Sequence, residues 1–393
     1  MDRNGLVKAL RDRLVKLPPP HDNAFGVVPP PPPGEALDLR PVLARLEAAT
    51  RALERVQTLA TALRSPFLVS RVLPQQEALS SSAIEGTYST LDELLAAELH
   101  EETEETSGGT AQVRDYAIAL ESLLPEAREI GRGIFTIDLI HRLHRALMTS
   151  DPYYPDEPGK LRQVVVWIGG ARDISRSTYN PPPPDMVATC LHDTLSYLRC
   201  EEDQDLSQSL ITRMAVGHAH FEAVHPFRDG NGRVGRLLLP LMMAAEGLVP
   251  LYLSPFVEAN KPAYYAALKA AQQRLEWHEI VGFMCDAVVA TVEDLLDRRA
   301  ALEALRADWE TRRRFRLGSA SLRSLDVLVD YPVVTVKRMA SLLGVSFPTA
   351  SEAVAQLVEV GILTERTGYA RNRVFVAREV LAIMNRKDDR APG

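Results

Sequence analysis

The segment His225-Pro226-Phe227-Arg228-Asp229-Gly230-Asn231-Gly232-Arg233-Val234-Gly235-Arg236 concentrates residue types that can handle a phosphorylated substrate. Gly230, Asn231 and Gly232 precede an apolar stretch of helical periodicity, so the chain can curl into a loop whose backbone N–H groups converge on an anion at the helix N-terminus. Arg233 and Arg236 are three apart, hence on one helical face, and both can direct their forks at phosphate oxygens. Asp229 can hold Mg2+ between those phosphates, leaving most of the ion's ligands to water and nucleotide. His225, with an ordinary pKa of about 6.5, is suited to accept a hydroxyl proton near neutral pH. Pro226 and Phe227 are expected to fix the loop against the core. A plain surface turn would account for the glycines, but not for the histidine, the aspartate and the two arginines. His218, His220 and His225 do not read as a metal site, because helical residues two apart point about 200° from each other.

A second segment, Ser81-Ser82-Ala83-Ile84-Glu85-Gly86, lies near the end of a helical stretch. Ser81 and Glu85 are four apart on one face, and Gly86 lets the chain leave the helix; alone, this is equally readable as a cap.

The elements that must position these groups are mostly helices. Apolar residues recur at helical spacing over 37–63 until Pro66, and further helices are expected at 69–82, 91–99, 110–124, 136–148, 184–198, 206–223 and 232–245, with a charged helix over 280–314. Pro240, one turn beyond Arg236, removes an N–H and crowds the Arg236 carbonyl, so a kink is expected there. The β-branched run Gln163 to Gly170, closed by paired glycines, predicts a short hairpin or flap. Residues 1–34 are Pro-rich and read as an extended arm with no core of its own, a spacer more readily than an SH3 ligand. After a linker at Leu317-Gly318 come helices near 322–329, 335–343 and 347–360, then strands 362–366 and 373–376 around Gly368. Small residues Ala340 and Gly344 suit a helix-turn-helix crossing with the strands as a wing.

With 393 residues, two folded units are expected. Hydrophobic residues at 46%, charged residues at 25% and a formal charge of -7 fit a globular protein without general attraction to nucleic acid or anionic lipid. No segment approaches the roughly 20 apolar residues of a membrane span, and no signal peptide is readable. Cys190, Cys200 and Cys285, odd in number and without metal-ligand spacing, read as structural thiols in a reducing compartment, so a cytoplasmic protein is expected.

The segment 225–236 resembles the signature of the Fic family, H-P-F-x-D/E-G-N-G-R-x-x-R, and matches it at every defined position. That resemblance implies a mainly α fold: a Fic-type helical core with a short β-hairpin flap, here Val165, Trp167, Ile168, Gly169 and Gly170, plus a C-terminal winged helix-turn-helix domain. It implies transfer of AMP from Mg·ATP to Ser, Thr or Tyr hydroxyls of proteins, including the chain itself. His225 would be the base, Asp229 the Mg2+ ligand, Gly230, Asn231 and Gly232 the phosphate loop, and Arg233 and Arg236 the clamps flanking Val234 and Gly235. Tyr264, Tyr265 and Gln272 match positions that line the nucleotide in relatives. The segment Ser81 to Gly86 is similar to the family's inhibitory motif, S/T-x-x-x-E-G/N, whose glutamate pairs with the second signature arginine and fills space needed by the γ-phosphate. The expected organisation is 1–34 arm, 35–110 N-terminal helices with the inhibitory helix, 111–316 catalytic core and 319–393 winged helix. Removal of AMP at the same site and a DNA-binding regulator are the competing functions. The presumed recognition helix carries Glu352 and Glu359, so DNA contact would rest on Arg366, Arg371, Arg373, Lys337 and Arg338. A homodimer is left open; a membrane partner is not expected.

Overall fold

The structure, a computed structural model, describes residues 1–34, 37–63, 72–97, 108–171, 173–201, 208–366 and 373–386. Pro66, Gly368 and Arg371 lie outside them. At the centre stand two helices that are buried on nearly every side, α7 (Leu210–Val224) and α8 (Asn231–Ala245). Such helices have no face to offer water and must be wrapped by others. Ser209 caps α7, its hydroxyl accepting from Thr212 N, and the loop 225–230 joins the two. Helix α8 runs on through Pro240, so the proline does not end it.

Around this pair pack α1 (Leu43–Leu63), α2 (Val72–Ile84), α3 (Leu91–Ala97), α4 (Gly108–Ile130), α5 (Ile137–Met148) and α6 (Val187–Arg199) on the N-terminal side. On the C-terminal side are α9 (Ser254–Ala259), α10 (Lys261–Arg274) and α11 (Trp277–Arg312). Helix α5 shows why a face turns inward: Leu139, Ile140, Leu143, His144, Leu147 and Met148 fall on one side and are buried, while Thr136 caps its start. Helix α2 lies against α4, α8 and α9, which carries its C-terminal end to the start of α8.

The chain departs from expectation in two places. Residues 1–34 are no spacer: strands β1 (Leu14–Lys16) and β2 (Phe25–Val27) form an antiparallel hairpin, and Leu6, Leu10, Leu17 and Val27 are buried. Four well-spaced apolar residues sufficed for docking, and the prolines supply extended carbonyls that α7 and its neighbour use: His220 Nε2 bonds Pro30 O at 3.0 Å and Gln208 Nε2 donates to Pro33 O at 2.8 Å. The run 163–170 forms no strand; the only pairing there is the antiparallel bridge Ile168–Tyr179.

The C-terminal segment comprises α12 (Ala320–Asp330), β3 (Val333–Thr335), α13 (Val336–Leu343), α14 (Phe347–Glu359), β4 (Thr364–Glu365), β5 (Val374–Val376) and α15 (Arg378–Met384). Its three strands are ordered β3-β5-β4, with Val333 opposite Val376 and Thr364 opposite Val376 on the other side. It is tied to the helical body by Arg298, whose guanidinium donates to the carbonyls of Met384 and Arg386, and by Gln76, which donates to Met384 O.

Trp309 of α11 is fully buried at this junction, and its indole N–H donates to Glu379 Oε2 at 3.0 Å, a carboxylate that Arg312 also grips. Trp309→Ala is expected to cost about 3–5 kcal/mol, read as an earlier urea midpoint. A loss well under about 1 kcal/mol would show that the junction contributes no core packing.

Candidate active site

The 225–230 loop is closed by its own side chains. Phe227 is fully buried, and Asn231 clamps it from both sides: Phe227 N donates to Asn231 Oδ1 and Asn231 Nδ2 donates to Phe227 O, each at 2.8 Å. Gly230 sits at φ +79°, a left-handed conformation that glycine adopts without steric cost, and starts α8. The amides of Asn231, Gly232 and Arg233 therefore open the first turn, where a helix has no acceptors for them and its dipole favours an anion. Asp229 is exposed at the rim, with Oδ1 accepting from Gly230 N at 2.6 Å.

Both arginines are buried and held. Arg233 reaches Gln112 Oε1 at 3.4 Å and Met148 Sδ at 3.2 Å, while its Nε has no partner. A buried guanidinium with a neutral amide and a sulfur for company is under-satisfied, and an anion at the loop would complete it. Arg236 is 1% exposed; its Nε donates to Ser81 Oγ (2.9 Å), and Nη2 donates to Ser81 O (3.0 Å) and Glu85 Oε1 (2.7 Å). Thus Ser81 and Glu85 do share the face that meets Arg236. Gly86, at φ +87°, turns the chain out of α2, with Thr87 N bonding back to Ser82 O, and Lys261 Nζ donates to Ala83 O at the helix end. The Glu85 carboxylate lies on the loop itself: a Cβ built on Gly232 would be 2.2 Å from Glu85 Oε1. Burial pushes this carboxyl up, but Arg236 and Arg233 outweigh it and hold it below its usual range. Arg236, despite burial, is driven further toward the charged form by Glu85.

His225 ends α7 in a left-handed conformation, φ +50°, uncommon outside glycine. Burial, assisted by the Arg162 charge, lowers its imidazole to about 4, so the ring is neutral at pH 7 while 21% of the side chain still reaches solvent. Two residues unmarked in the sequence hold it. Arg162, buried, donates Nε to His225 O at 2.8 Å and Nη2 to Pro182 O at 2.7 Å, and its own N–H meets Pro226 O at 3.0 Å. His144 stacks on Phe227 at 3.7 Å; Gly159 N donates to its Nδ1 (2.8 Å), which places the proton on Nε2, and that nitrogen donates to Asp229 O (3.1 Å). The buried face of α5 signals His144 in retrospect; nothing in the sequence signals Arg162. Glu222, three residues before His225, is a third: burial raises it to about 7 against the pull of Arg236, and its Oε1 has no partner.

Val234 is core, and Gly235 leaves room for Glu222, since a Cβ there would meet Glu222 Oε1 at 2.6 Å. Tyr264 is buried with Oη 2.7 Å from His218 Nε2, and its ring lies 5.3 Å from that of half-exposed Tyr265. Gln272 is grouped instead with Leu10, Pro30 and Tyr179 beside the N-terminal segment. Of the flap residues, Gly169 and Gly170 make the turn at φ +73° each, Ile168 makes the bridge to Tyr179, Trp167 donates Nε1 to Ala171 O at 3.0 Å, and Val165 is half-buried. His218 and His220 point to different partners, the latter to Thr194 and Pro30.

A helical core thus brings an open helix start, two buried arginines and a neutral histidine to one junction, a grouping whose chemistry suits a phosphoester beside a proton acceptor. Residues 134–243 match the model of the Fic/DOC family, and residues 43–123 that of the Fic/DOC family N-terminal region. The chain carries a Fic/DOC family domain preceded by a region that matches the family's N-terminal part. It is 34% identical over 137 residues to the protein adenylyltransferase fic-1 of Caenorhabditis briggsae, covering 35% of this chain and 24% of that one. Identity is also 34% over 116 residues with a probable protein adenylyltransferase of Aquifex aeolicus, covering 30% and 32%. The matched part thus spans about a quarter to a third of these relatives. In fold it is similar to a Fic family protein from Desulfovibrio desulfuricans G20 (TM-score 0.55, 21% identity, 89% of this chain and 98% of that one). It is also similar to Fic-1 of Caenorhabditis elegans (TM-score 0.51, 23% identity, 66% and 73%). Among the described residues no helix is long and apolar enough to cross a membrane.

The imidazoles of His144, His218, His220 and His225 are all lowered to about 4, chiefly by burial. Between pH 4 and about 6.5 the unfolded chain therefore binds protons at these sites that the folded chain refuses. His141 is lowered too, while Glu222, Glu77, Asp286 and Asp330, raised by burial, act in the opposite sense and offset part of the effect. Unfolding free energy is accordingly expected to fall as pH drops from 6.5 towards 4, with net proton uptake on unfolding at pH 5.5. Stability that rises over that interval would mean that the folded protein carries these rings charged.

Proposed function

We propose that the chain is an auto-inhibited protein adenylyltransferase that transfers AMP from Mg·ATP to a protein Ser, Thr or Tyr hydroxyl, its own included. The observation that carries this reading is the Glu85 carboxylate bound to Arg236 over Gly232: one anion already occupies the place where the loop would receive another. The relatives named as adenylyltransferases support ATP as substrate.

In this reading the loop amides and Arg233 hold the α- and β-phosphates, and Arg236 serves the γ-phosphate once Glu85 has moved. The target hydroxyl attacks the α-phosphorus; the bond to the bridging oxygen of the β-phosphate breaks, pyrophosphate leaves, and the hydroxyl proton passes to neutral His225. Exposed Asp229 beside the phosphate loop fits a single protein ligand for Mg2+, which when bound neutralises charge on the leaving pyrophosphate. Tyr264 and Tyr265 lie on the nucleotide side, and the flap orients the target segment. With Glu85 in place, ATP sits with its α-phosphate out of line. A second reading, removal of AMP from a protein, has support in the same carboxylate, which stays ionised and 34% exposed and could orient a water.

The C-terminal segment is read as a winged helix serving the catalytic unit rather than DNA. Arg366 is bonded to Asp92 of α3 (3.0 Å) and Arg373 to Glu365 (3.2 Å), which engages two of the basic side chains a wing would offer. The odd number of cysteines, Cys190, Cys200 and Cys285, supports a reducing, cytoplasmic setting.

Incubation with labelled ATP and Mg2+ tests the reading. Glu85→Gly should self-modify well above wild type while retaining ATP binding, because Arg236 and the space beside it are released. An equal rate with ATP still bound would remove the inhibitory role, and loss of AMP removal instead would favour the second reading. Arg236→Ala also breaks the pair but should stay inactive, since the clamp goes with it.

His225→Ala should lower transfer about 10²- to 10⁴-fold with ATP binding nearly intact. Asp229→Ala should lose the Mg2+ dependence of transfer and shrink the Mg·ATP thermal shift. Wild-type behaviour in either would dismiss that residue from its role.

A further inference from the structure

The flap cannot hold itself. Its two limbs share one bridge, with Ile168 N donating to Tyr179 O at 2.8 Å and Thr178 N to Ile168 O at 2.7 Å, and an isolated ribbon of this size is marginal in water. What supports it is a second hydrophobic cluster, separate from the main core, that joins three parts of the chain. Leu6, Leu10 and Val27 come from the N-terminal segment, Tyr179 and the packed Ile168 from the flap, and Ala223 from α7, two residues before His225. Strand β2 is laid along the outgoing limb: Val27 N donates to Asn180 O and Asn180 Nδ2 donates to Phe25 O, each at 2.9 Å. The approach is so close that a Cβ on Gly26 would lie 2.5 Å from Pro181 O. Across the hairpin turn, His21 meets the Trp167 ring edge-on at 5.3 Å. The main-chain carbonyl of Gln273 accepts from Val7 N (3.0 Å) and its side-chain Nε2 donates to Thr178 O (2.7 Å), so one residue bonds both segment and flap.

We propose that residues 1–34 are a working part of the protein-target site: they fix the flap relative to His225 and thereby set how an extended, hydroxyl-bearing segment of a target protein is presented. This rests on the reading of the flap and of AMP transfer given above. The segment touches none of the groups assigned to phosphate or proton transfer, so its contribution is confined to the protein acceptor. Gly26 and His21 are positioning residues of this site, acting through Pro181 and Trp167.

The test places Gly26→Ala and His21→Ala separately in the Glu85→Gly protein, uses the full-length His225→Ala chain as protein acceptor, and supplies labelled ATP with Mg2+. Gly26→Ala must push β2 off Pro181; His21→Ala removes only a partly exposed ring and carries little folding risk. Both should speed deuterium exchange at the Ile168 and Thr178 amides and raise KM for the acceptor, lowering kcat/KM about tenfold or more, with the thermal shift by ATP unchanged. Unchanged exchange in both variants, or faster exchange with undiminished transfer, overturns the proposal. An equal loss of ATP binding would also overturn it, because the effect would then lie in the nucleotide site. If the Glu85→Gly parent itself transfers nothing, the activity assignment fails instead, and the exchange rates alone decide whether the segment holds the flap.

Discussion

A guanidinium that is 1% exposed gains most from an anionic partner, and Arg236 is paired with Glu85. Removing one partner of a buried pair typically costs about 3–5 kcal/mol, because the charge left behind is no longer compensated. Much of the architecture follows from meeting that demand on a helix that also starts an anion site. Helix α2 must end beside the first turn of α8, which sets its packing against α4, α8 and α9. Gly232 must lack a side chain, and Gly86 must turn the chain away once the carboxylate is delivered. Deeper in, Glu77 accepts from Tyr116 and from both N–H and O–H of Ser254, an arrangement that secures the middle of α2 where Ser81 presents its hydroxyl and carbonyl to the same guanidinium. The Glu85–Arg236 contact is therefore a continuation of the core, not an ornament on its surface.

The base is held by an independent set of bonds. A left-handed histidine costs on the order of 1–3 kcal/mol and persists only where the surroundings fix it. Here Arg162 donates to the carbonyls of His225, Val164 and Pro182, with a longer bond to Val224, and so closes the C-terminal end of α7, where a cation suits the helix dipole. Burial without a carboxylate partner brings that guanidinium down to about 10, still charged at pH 7. His144 and Asn231 fix the other half of the loop through main-chain groups of Phe227 and Asp229 and the Phe227 ring. Because these partners are backbone groups and a neutral ring, the loop keeps its shape whether or not Glu85 occupies it.

What the sequence made legible was local. The loop from His225 to Arg236, the glutamate four residues after Ser81 and most of the helices could be read, because glycines, caps and the 3.6-residue period act over a few positions. Gln272, expected at the nucleotide by likeness, lies beside the N-terminal segment. That segment was misread because its composition suggests extended chain, and four apolar residues among prolines give no periodicity; only the groove between flap and α7 gives them a place. Arg162 and Glu222 were missed for a related reason. Their roles come from burial, which no spacing encodes, and a buried arginine that binds carbonyls looks in sequence like any surface one.

The two partners of the inhibitory pair are not equally free. Arg236 is held at Ser81 by two bonds independent of Glu85, whereas the Glu85 carboxylate keeps a 34% exposed side chain at the open edge of the loop and has one strong partner. Its release therefore requires rotation of a single side chain at a helix end. It does not require unpacking of α2, whose last carbonyls remain held by the Thr87 amide and Lys261. A phosphate that displaces the carboxylate finds the guanidinium already aimed and desolvated, so little reorganisation is needed at the moment of exchange. In the proposed reading the buried charge would be satisfied in both states, and the balance between them would be set by how well the competing anion also engages Arg233 and the first-turn amides.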